Sequence, residues 1–159
     1  MTLPIEPRPG VPGPLQPQRP QLMQNDPFSQ TAYTDSFYEA VGGHETFVKL
    51  IDVFYDGVAA DPLLRPMYPE EDLAPAKRRF LMFLEQYWGG PTTYGEERGH
   101  PRLRMRHMPF KVTPEAKDRW LFHMRAAVDA LDLPPLYEGT LWEYMERAAL
   151  SMVNSPSGA

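Results

Sequence analysis

The chain has 159 residues, enough for one domain of ordinary size with a sizeable hydrophobic core. It is 42% hydrophobic with a formal net charge of −5, a composition typical of globular proteins that argues against general nucleic-acid binding. The absence of cysteine excludes disulfides, iron–sulfur clusters and cysteine-ligated zinc. No apolar run approaches the roughly 18 residues of a membrane span, and the first residues lack the pattern of a signal peptide. We therefore expect a cytoplasmic protein without a membrane span.

The beginning of the chain is rich in proline. Residues 1–30 carry eight of the 19 prolines, together with five glutamines and few residues that could be buried. Such a composition is typical of disordered or extended segments. The sequence therefore predicts a proline-rich disordered extension over residues 1–33, an ordered domain over residues 34–156, and a short tail over residues 157–159.

Apolar residues at helical spacing predict four substantial helices within this domain, and no segment has the alternation of a β-strand. Turn and capping residues separate the helices, such as Asp61-Pro62 after the first and Thr113-Pro114 before the third, and Pro91 to Val112 leaves room for only a short helix. The sequence therefore predicts an all-α domain with helices crossing around an aromatic-rich interior. The expected inward faces are Phe47, Leu50, Ile51, Phe54, Tyr55 and Val58; Ala76, Phe80, Phe83, Leu84 and Tyr87; Ala116, Trp120, Met124, Ala127, Val128 and Leu131; and Leu141, Tyr144, Met145, Ala148 and Met152.

The segment from Gly99 to Phe110 combines two histidines with closely spaced arginines. Pro109 disfavours helix at the preceding residue, so His107 is expected near the end of a short helix. Neutral imidazole is the commonest protein ligand of transition metals and the proximal ligand of globin haem. No Asp or Glu occurs between Glu97 and Glu115, which favours an anionic partner. His107 is thus the candidate metal ligand.

On the residues alone, other interpretations of this segment stay open. A histidine near proline is often a surface or structural residue, and an arginine run is often solvated. The run could also bind a phosphate-bearing partner in a helical interaction module without haem. His44 and His123 compete as metal ligands, but neither lies in an arginine cluster that could meet haem propionates. Tyr55 and Trp120, at inward positions, need hydrogen-bond acceptors, which backbone carbonyls or a bound ligand can provide.

Several longer motifs occur in order along the chain. They are Phe37-Tyr38-x-Ala40-Val41-Gly42-Gly43, Tyr68-Pro69-Glu70-x-Asp72-Leu73, the run from Phe83 to Pro91, the run from Arg98 to Phe110, and Trp120. Together they resemble the motifs of group II truncated haemoglobins of the actinobacterial type, from about Ser36 to Pro156. The resemblance implies that residues 34–156 form a two-over-two truncated globin domain that holds haem b.

The resemblance also implies roles for individual residues. His107 would be the proximal iron ligand, and dioxygen or another diatomic gas such as CO or NO would bind reversibly on the opposite side. Ala76 occupies the position where many globins have a distal histidine. Phe80 departs from the smaller apolar residue, often Leu, expected there, and its ring is expected to narrow access to iron. The distal hydrogen-bond donors would be Tyr55, Tyr68 and Trp120, and further haem contacts would come from Phe83, Tyr94, Arg104, Arg106, Phe110 and Lys111.

The same site supports an enzymatic alternative, which is peroxidase-like or nitric oxide dioxygenase chemistry in the polar pocket. The sequence does not separate gas binding from turnover. A reductase as redox partner and a homo-oligomer also stay open, as does the role of the proline-rich extension.

Overall fold

The structure, a computed structural model, describes residues 36–157. This part of the chain contains α-helices and one 3₁₀ turn but no β-strand, which confirms the all-α prediction. None of the helices described is both long and apolar enough to cross a membrane. The predicted extension 1–33 and the last two residues of the tail lie outside the described residues. The elements are α1 (Phe37–Ala40), α2 (His44–Ala59), the 3₁₀ turn (Arg65–Met67), α3 (Ala74–Tyr87), α4 (Thr93–Arg98), α5 (Leu103–His107), α6 (Pro114–Leu131) and α7 (Pro135–Met152).

Local capping explains the start of α6, and a tertiary contact explains a helix that the sequence did not reveal. The Thr113 hydroxyl accepts a hydrogen bond from the Ala116 N–H at 3.1 Å, as expected for a capping threonine followed by proline. The expectation of a single short helix between Pro91 and Val112 was wrong, because α4 precedes α5. The Gly95 N–H donates to Gln86 Oε1 at 2.8 Å, so α4 is held by α3.

The four long helices form two layers. The helix pair α2–α3 packs against the pair α6–α7, mainly through the contact of α2 with α6. Phe54 lies at this crossing, is fully buried, and meets the Trp120 ring edge-on with centroids 5.1 Å apart. The predicted two-over-two arrangement is confirmed, and it brings Tyr55 on α2 and Trp120 on α6 to the same interior.

A buried carboxylate connects the end of α2 to α6. Asp61 Oδ1 accepts hydrogen bonds from the Leu63 and Leu64 N–H groups at 2.8 and 3.2 Å. Its Oδ2 accepts from Arg119 Nε at 3.0 Å and from His123 Nε2 at 2.6 Å. Burial alone would raise the pKa of Asp61, but these hydrogen bonds hold the pKa well below its usual value. Asp61 is therefore a fixed anion between the two layers.

Gly57 provides a test of how tightly α2 packs on α6. A Cβ atom at Gly57 would come within 2.3 Å of His123 Nδ1, and the hydrogen bond to Asp61 holds that ring in place. Gly57→Ala is expected to lower the free energy of unfolding by about 1–3 kcal/mol, because it overpacks the interface. Thermal unfolding of both glycine variants with the parent measures the effect. The control is Gly139→Ala in α7, where a Cβ meets nothing within 4 Å and a gain of roughly 0.5–1 kcal/mol is expected. If Gly57→Ala and Gly139→Ala changed the stability in the same direction, the tight packing at Gly57 would be contradicted.

The charge of Asp61 gives a second, pH-dependent expectation. Asp61→Asn leaves His123 and Arg119 without their anion and is expected to cost about 3–5 kcal/mol at pH 7. Because the folded-state pKa is depressed, ionised Asp61 stabilises the fold above its unfolded pKa of about 3.9, and this contribution is lost as the pH falls below that value. Urea unfolding should show that the free energies of unfolding of Asp61→Asn and the parent differ less at pH 3 than at pH 7.

The matched control is Asp52→Asn, since Asp52 is exposed and pairs with Lys77 at 3.0 Å on the surface. It is expected to cost less than about 1 kcal/mol. An equal loss from both variants, or an Asp61→Asn effect that does not depend on pH, would show that Asp61 does not act as a buried anion.

Candidate functional site

A cavity of about 530 Å³ lies between the two helical layers, within the size range of small-molecule and cofactor sites. Its walls are mainly apolar and include side chains from α2 to α7. Arg104 and Lys111 are exposed and do not line it. Of the residues predicted for the site, those that line the cavity are Tyr55, Tyr68, Ala76, Phe80, Phe83, Tyr94, Arg106, His107, Phe110 and Trp120.

His107 is the last residue of α5, and its side chain lines this cavity. Its Nδ1 lies 2.7 Å from the Leu103 carbonyl oxygen, one helical turn earlier. Because a carbonyl can only accept, Nδ1 carries the proton and donates, which leaves the lone pair on Nε2. A hydrogen bond of this kind fixes both the tautomer and the orientation of a metal-binding imidazole. His107 therefore has the chemistry of a single axial metal ligand.

The structure also describes the other three histidines of the chain, and none of them lines the cavity. His44 Nδ1 lies 2.7 Å from Glu85 Oε2, although its side chain is largely exposed. His100 is exposed, and its Nδ1 accepts from the Arg102 N–H at 3.1 Å. His123 donates to Asp61. The competing histidines thus have structural partners of their own.

Asn154 holds the segment that follows His107, a role that the sequence did not reveal. Its Oδ1 accepts from the Val112 N–H at 2.9 Å, and its Nδ2 donates to the Phe110 and His107 carbonyls at 3.0 and 3.3 Å. Because Asn154 lies just beyond α7, these bonds fasten the exit of the histidine segment to the last long helix.

Aromatic and hydroxyl groups line the side of the cavity formed by α2, α3 and α6. The Tyr55 and Tyr68 rings meet edge-on at 5.7 Å. Burial raises the pKa of both hydroxyls, and the interaction between the two hydroxyls raises the pKa of Tyr55 further and partly offsets the rise at Tyr68. Phe80 packs against Tyr55 and Trp120 with centroids 6.3 and 6.1 Å apart. Both hydroxyls are therefore neutral at physiological pH and can donate hydrogen bonds.

Cations outnumber anions around the cavity. Arg106 is held by backbone carbonyls, through Nε to Pro101 at 2.6 Å and Nη2 to Arg98 at 3.2 Å, and among the described residues no carboxylate forms an ion pair with it. Arg79 donates to Glu70 Oε2 at 3.1 Å. The cavity-lining cations are Arg79, Arg98, Arg106 and Lys117, and Glu70 is the acidic residue among the described lining.

Three of these cations were not predicted as haem contacts, namely Arg79, Arg98 and Lys117, although Arg98 begins the arginine-rich run that contains His107. A signal was available for Arg79, because it follows Ala76 by three residues and residues at that spacing share one helix face. Lys117 follows Ala116 directly and also pairs with Asp118 at 2.8 Å, so its position gives no such signal.

Taken together, these groups suit a flat, mostly apolar cofactor that carries a metal and acidic substituents. One imidazole supplies a single ligand, whereas a bare zinc ion needs three or four protein ligands. The apolar walls suit a large ring system, and the surplus cations suit carboxylates. The residues present therefore fit haem, which is an iron-containing ring with two propionates.

Comparison with known proteins gives a consistent assignment. The model of the family described as "Bacterial-like globin" matches residues 36–154. The group 2 truncated hemoglobin YjbI of Bacillus subtilis (strain 168) is 45% identical over 117 residues, which is 74% of this chain and 87% of that protein. The thermostable hemoglobin of the actinobacterium Thermobifida fusca is 66% identical, with a TM-score of 0.74 over 75% of this chain and 97% of that chain. For the group II truncated hemoglobin of Bacillus anthracis the identity is 39% and the TM-score 0.73, over 77% of this chain and 98% of that chain. The chain thus belongs to the bacterial-like globin family and, within it, to the group II truncated haemoglobins.

Proposed function

We propose that this protein binds dioxygen, or another diatomic gas, reversibly at ferrous haem in the cavity beside His107. Haem b is the cofactor of this family, and when bound it would supply an iron that can take a gas ligand. The observation that carries the proposal is the geometry of His107. It is the one histidine that lines the cavity, and its Nδ1–H is held by the Leu103 carbonyl so that Nε2 can bind iron.

The remaining lining residues divide between holding the ring and neutralising its acidic groups. Phe83, Tyr94 and Phe110 provide apolar contact, and Tyr94 is almost completely buried. We assign the propionate contacts to the cations that line the cavity, with Arg106 foremost because two carbonyls fix its guanidinium. Arg104 was expected to share this role, but it is exposed outside the cavity, as is Lys111.

The distal donors act on the gas ligand itself. The Tyr55 and Tyr68 hydroxyls are paired with each other, and because one hydrogen bond uses only one of the two protons, the other proton is free to turn toward a ligand in the cavity. The Trp120 indole is a donor that cannot accept, so it retains a bound gas by a further hydrogen bond. Ala76 contributes no donor, and the Phe80 ring restricts the space beside Trp120. These groups slow the escape of the ligand.

The proposal is tested by the spectrum of the purified protein. Ferric, ferrous and ferrous-CO spectra of the parent should show haem bands with the shift that carbon monoxide causes. His107→Ala should lose or change these bands because no other histidine lines the cavity, and added imidazole should restore them. The matched control is His100→Ala, an exposed histidine on the same segment, which should leave the spectra unchanged. A colourless parent that does not take up added haem would refute the proposal.

Trp120→Phe tests the distal role, since it removes the indole N–H and keeps an aromatic ring. Loss of one hydrogen bond costs about 1 kcal/mol, so dioxygen release should become roughly five-fold faster. Stopped-flow displacement of dioxygen by carbon monoxide measures the rate. The control is Trp142→Phe on α7, where the indole packs under Arg125 and does not line the cavity. An unchanged release rate in Trp120→Phe would remove this residue from the proposed role.

A further inference from the structure

The short helix α5 has two faces with different surroundings. Leu103, Arg106 and His107 line the cavity. Arg104, Met105 and Met108 are exposed and do not line it. Helical spacing explains the division, since residues three and four apart fall on the same side. The wall between cavity and solvent is therefore one helix thick here, about 10–12 Å with side chains.

The exposed side of this segment is strongly basic. Arg102, Arg104 and Lys111 are exposed, and no acidic residue occurs between Glu97 and Glu115. Among the described residues, no ion pair involves these three cations. The chain as a whole carries a formal charge of −5, so this local excess of positive charge is opposite in sign to the net charge.

Two methionines lie among these cations. Met105 is 55% exposed and Met108 is 70% exposed, which places both among the large apolar residues that the described structure leaves in solvent. Methionine is enriched in protein interfaces because its flexible thioether adapts to different partner surfaces. An apolar centre with a charged rim is the usual arrangement of a protein–protein interface. The outer face of α5, defined as Arg102, Arg104, Met105, Met108 and Lys111, combines these two kinds of residue on one short exposed segment.

We propose that the outer face of α5 is the docking surface for an acidic protein that donates single electrons to the haem, a proposal that rests on the function assigned above. The donor gives up one electron, and ferric iron in the cavity becomes ferrous, the form that binds dioxygen. A donor seated on this face lies behind the His107 side of the cavity and is separated from it only by α5.

A compact acidic protein fits this face better than a nucleic acid or a membrane does. Three cations and two methionines make a small footprint, as in electron-transfer complexes, whose interfaces lie at the low end of the size range. Tight binding to a nucleic acid draws on several phosphate contacts spread along the strand. The net negative charge of the rest of the chain opposes approach to any extended anionic surface, whereas it tolerates a small partner that meets only the basic face.

The test measures reduction of the ferric protein by a reduced plant-type ferredoxin, used as an acidic one-electron donor, in stopped-flow experiments. Arg104→Glu and Lys111→Glu should each lower the second-order rate constant at least three-fold, and together about ten-fold, at 0.01 M salt. The differences should vanish toward 1 M salt, where the screening length falls from about 30 Å to about 3 Å. The matched control, Lys49→Glu on the exposed side of α2, makes the same change of charge and should have little effect.

Two further measurements separate the outcomes. Photoreduced lumiflavin, a small uncharged reductant, should reduce the parent and all variants at the same rate, and every variant should keep the ferrous-CO spectrum of the parent. The docking surface would be refuted, and the proposed function kept, if all variants have intact spectra and ferredoxin reduces Arg104→Glu, Lys111→Glu and Lys49→Glu at equal rates. Absence of haem bands in the parent would overturn the proposed function as well. Unchanged ferredoxin rates together with charge-dependent binding to phosphatidylserine vesicles would assign the face to a membrane and refute a protein donor.

Discussion

The arrangement of both layers depends on the hydrogen bonds that the buried carboxylate of Asp61 accepts. This carboxylate accepts the first N–H groups of the loop that leads to Tyr68, and it receives hydrogen bonds from two side chains of α6, the helix that carries Trp120. A single buried anion thereby sets the distance between the elements that supply the distal hydroxyl and indole groups. The absence of a side chain at Gly57 belongs to the same constraint, because the His123 ring occupies that space.

The proximal side is built by a different principle, in which backbone carbonyls orient charged and ligating side chains. The Leu103 carbonyl fixes His107, and the carbonyls of Pro101 and Arg98 fix Arg106. Such partners are neutral, so they orient the imidazole and the guanidinium without cancelling positive charge. The segment can therefore be short, basic and still well positioned, which suits a ligand that carries carboxylates.

Much of the fold could be predicted because its helices are amphipathic in the ordinary way. Every residue assigned to the inward face of α2, from Phe47 to Val58, is buried. Helix α4 was missed because it depends on Gln86 of α3 rather than on its own sequence. Most predicted site residues line one cavity, and the family resemblance identified them. Asn154 was beyond prediction, because its partner Val112 lies 42 residues away and nothing local links them.

The bonds made by Asn154 also bear on how this chain can be engineered. The backbone N–H of Asn154 donates to the Val112 carbonyl at 2.9 Å, in addition to the three side-chain hydrogen bonds that Asn154 makes with the segment after His107. The residues after α7 are therefore tied directly to the chain that follows His107. A protein fused after Ser155 leaves these hydrogen bonds in place. A junction placed at the end of α7, which looks like the natural helix boundary, would instead remove the Asn154 hydrogen bonds that hold the histidine segment, while every helix would stay intact.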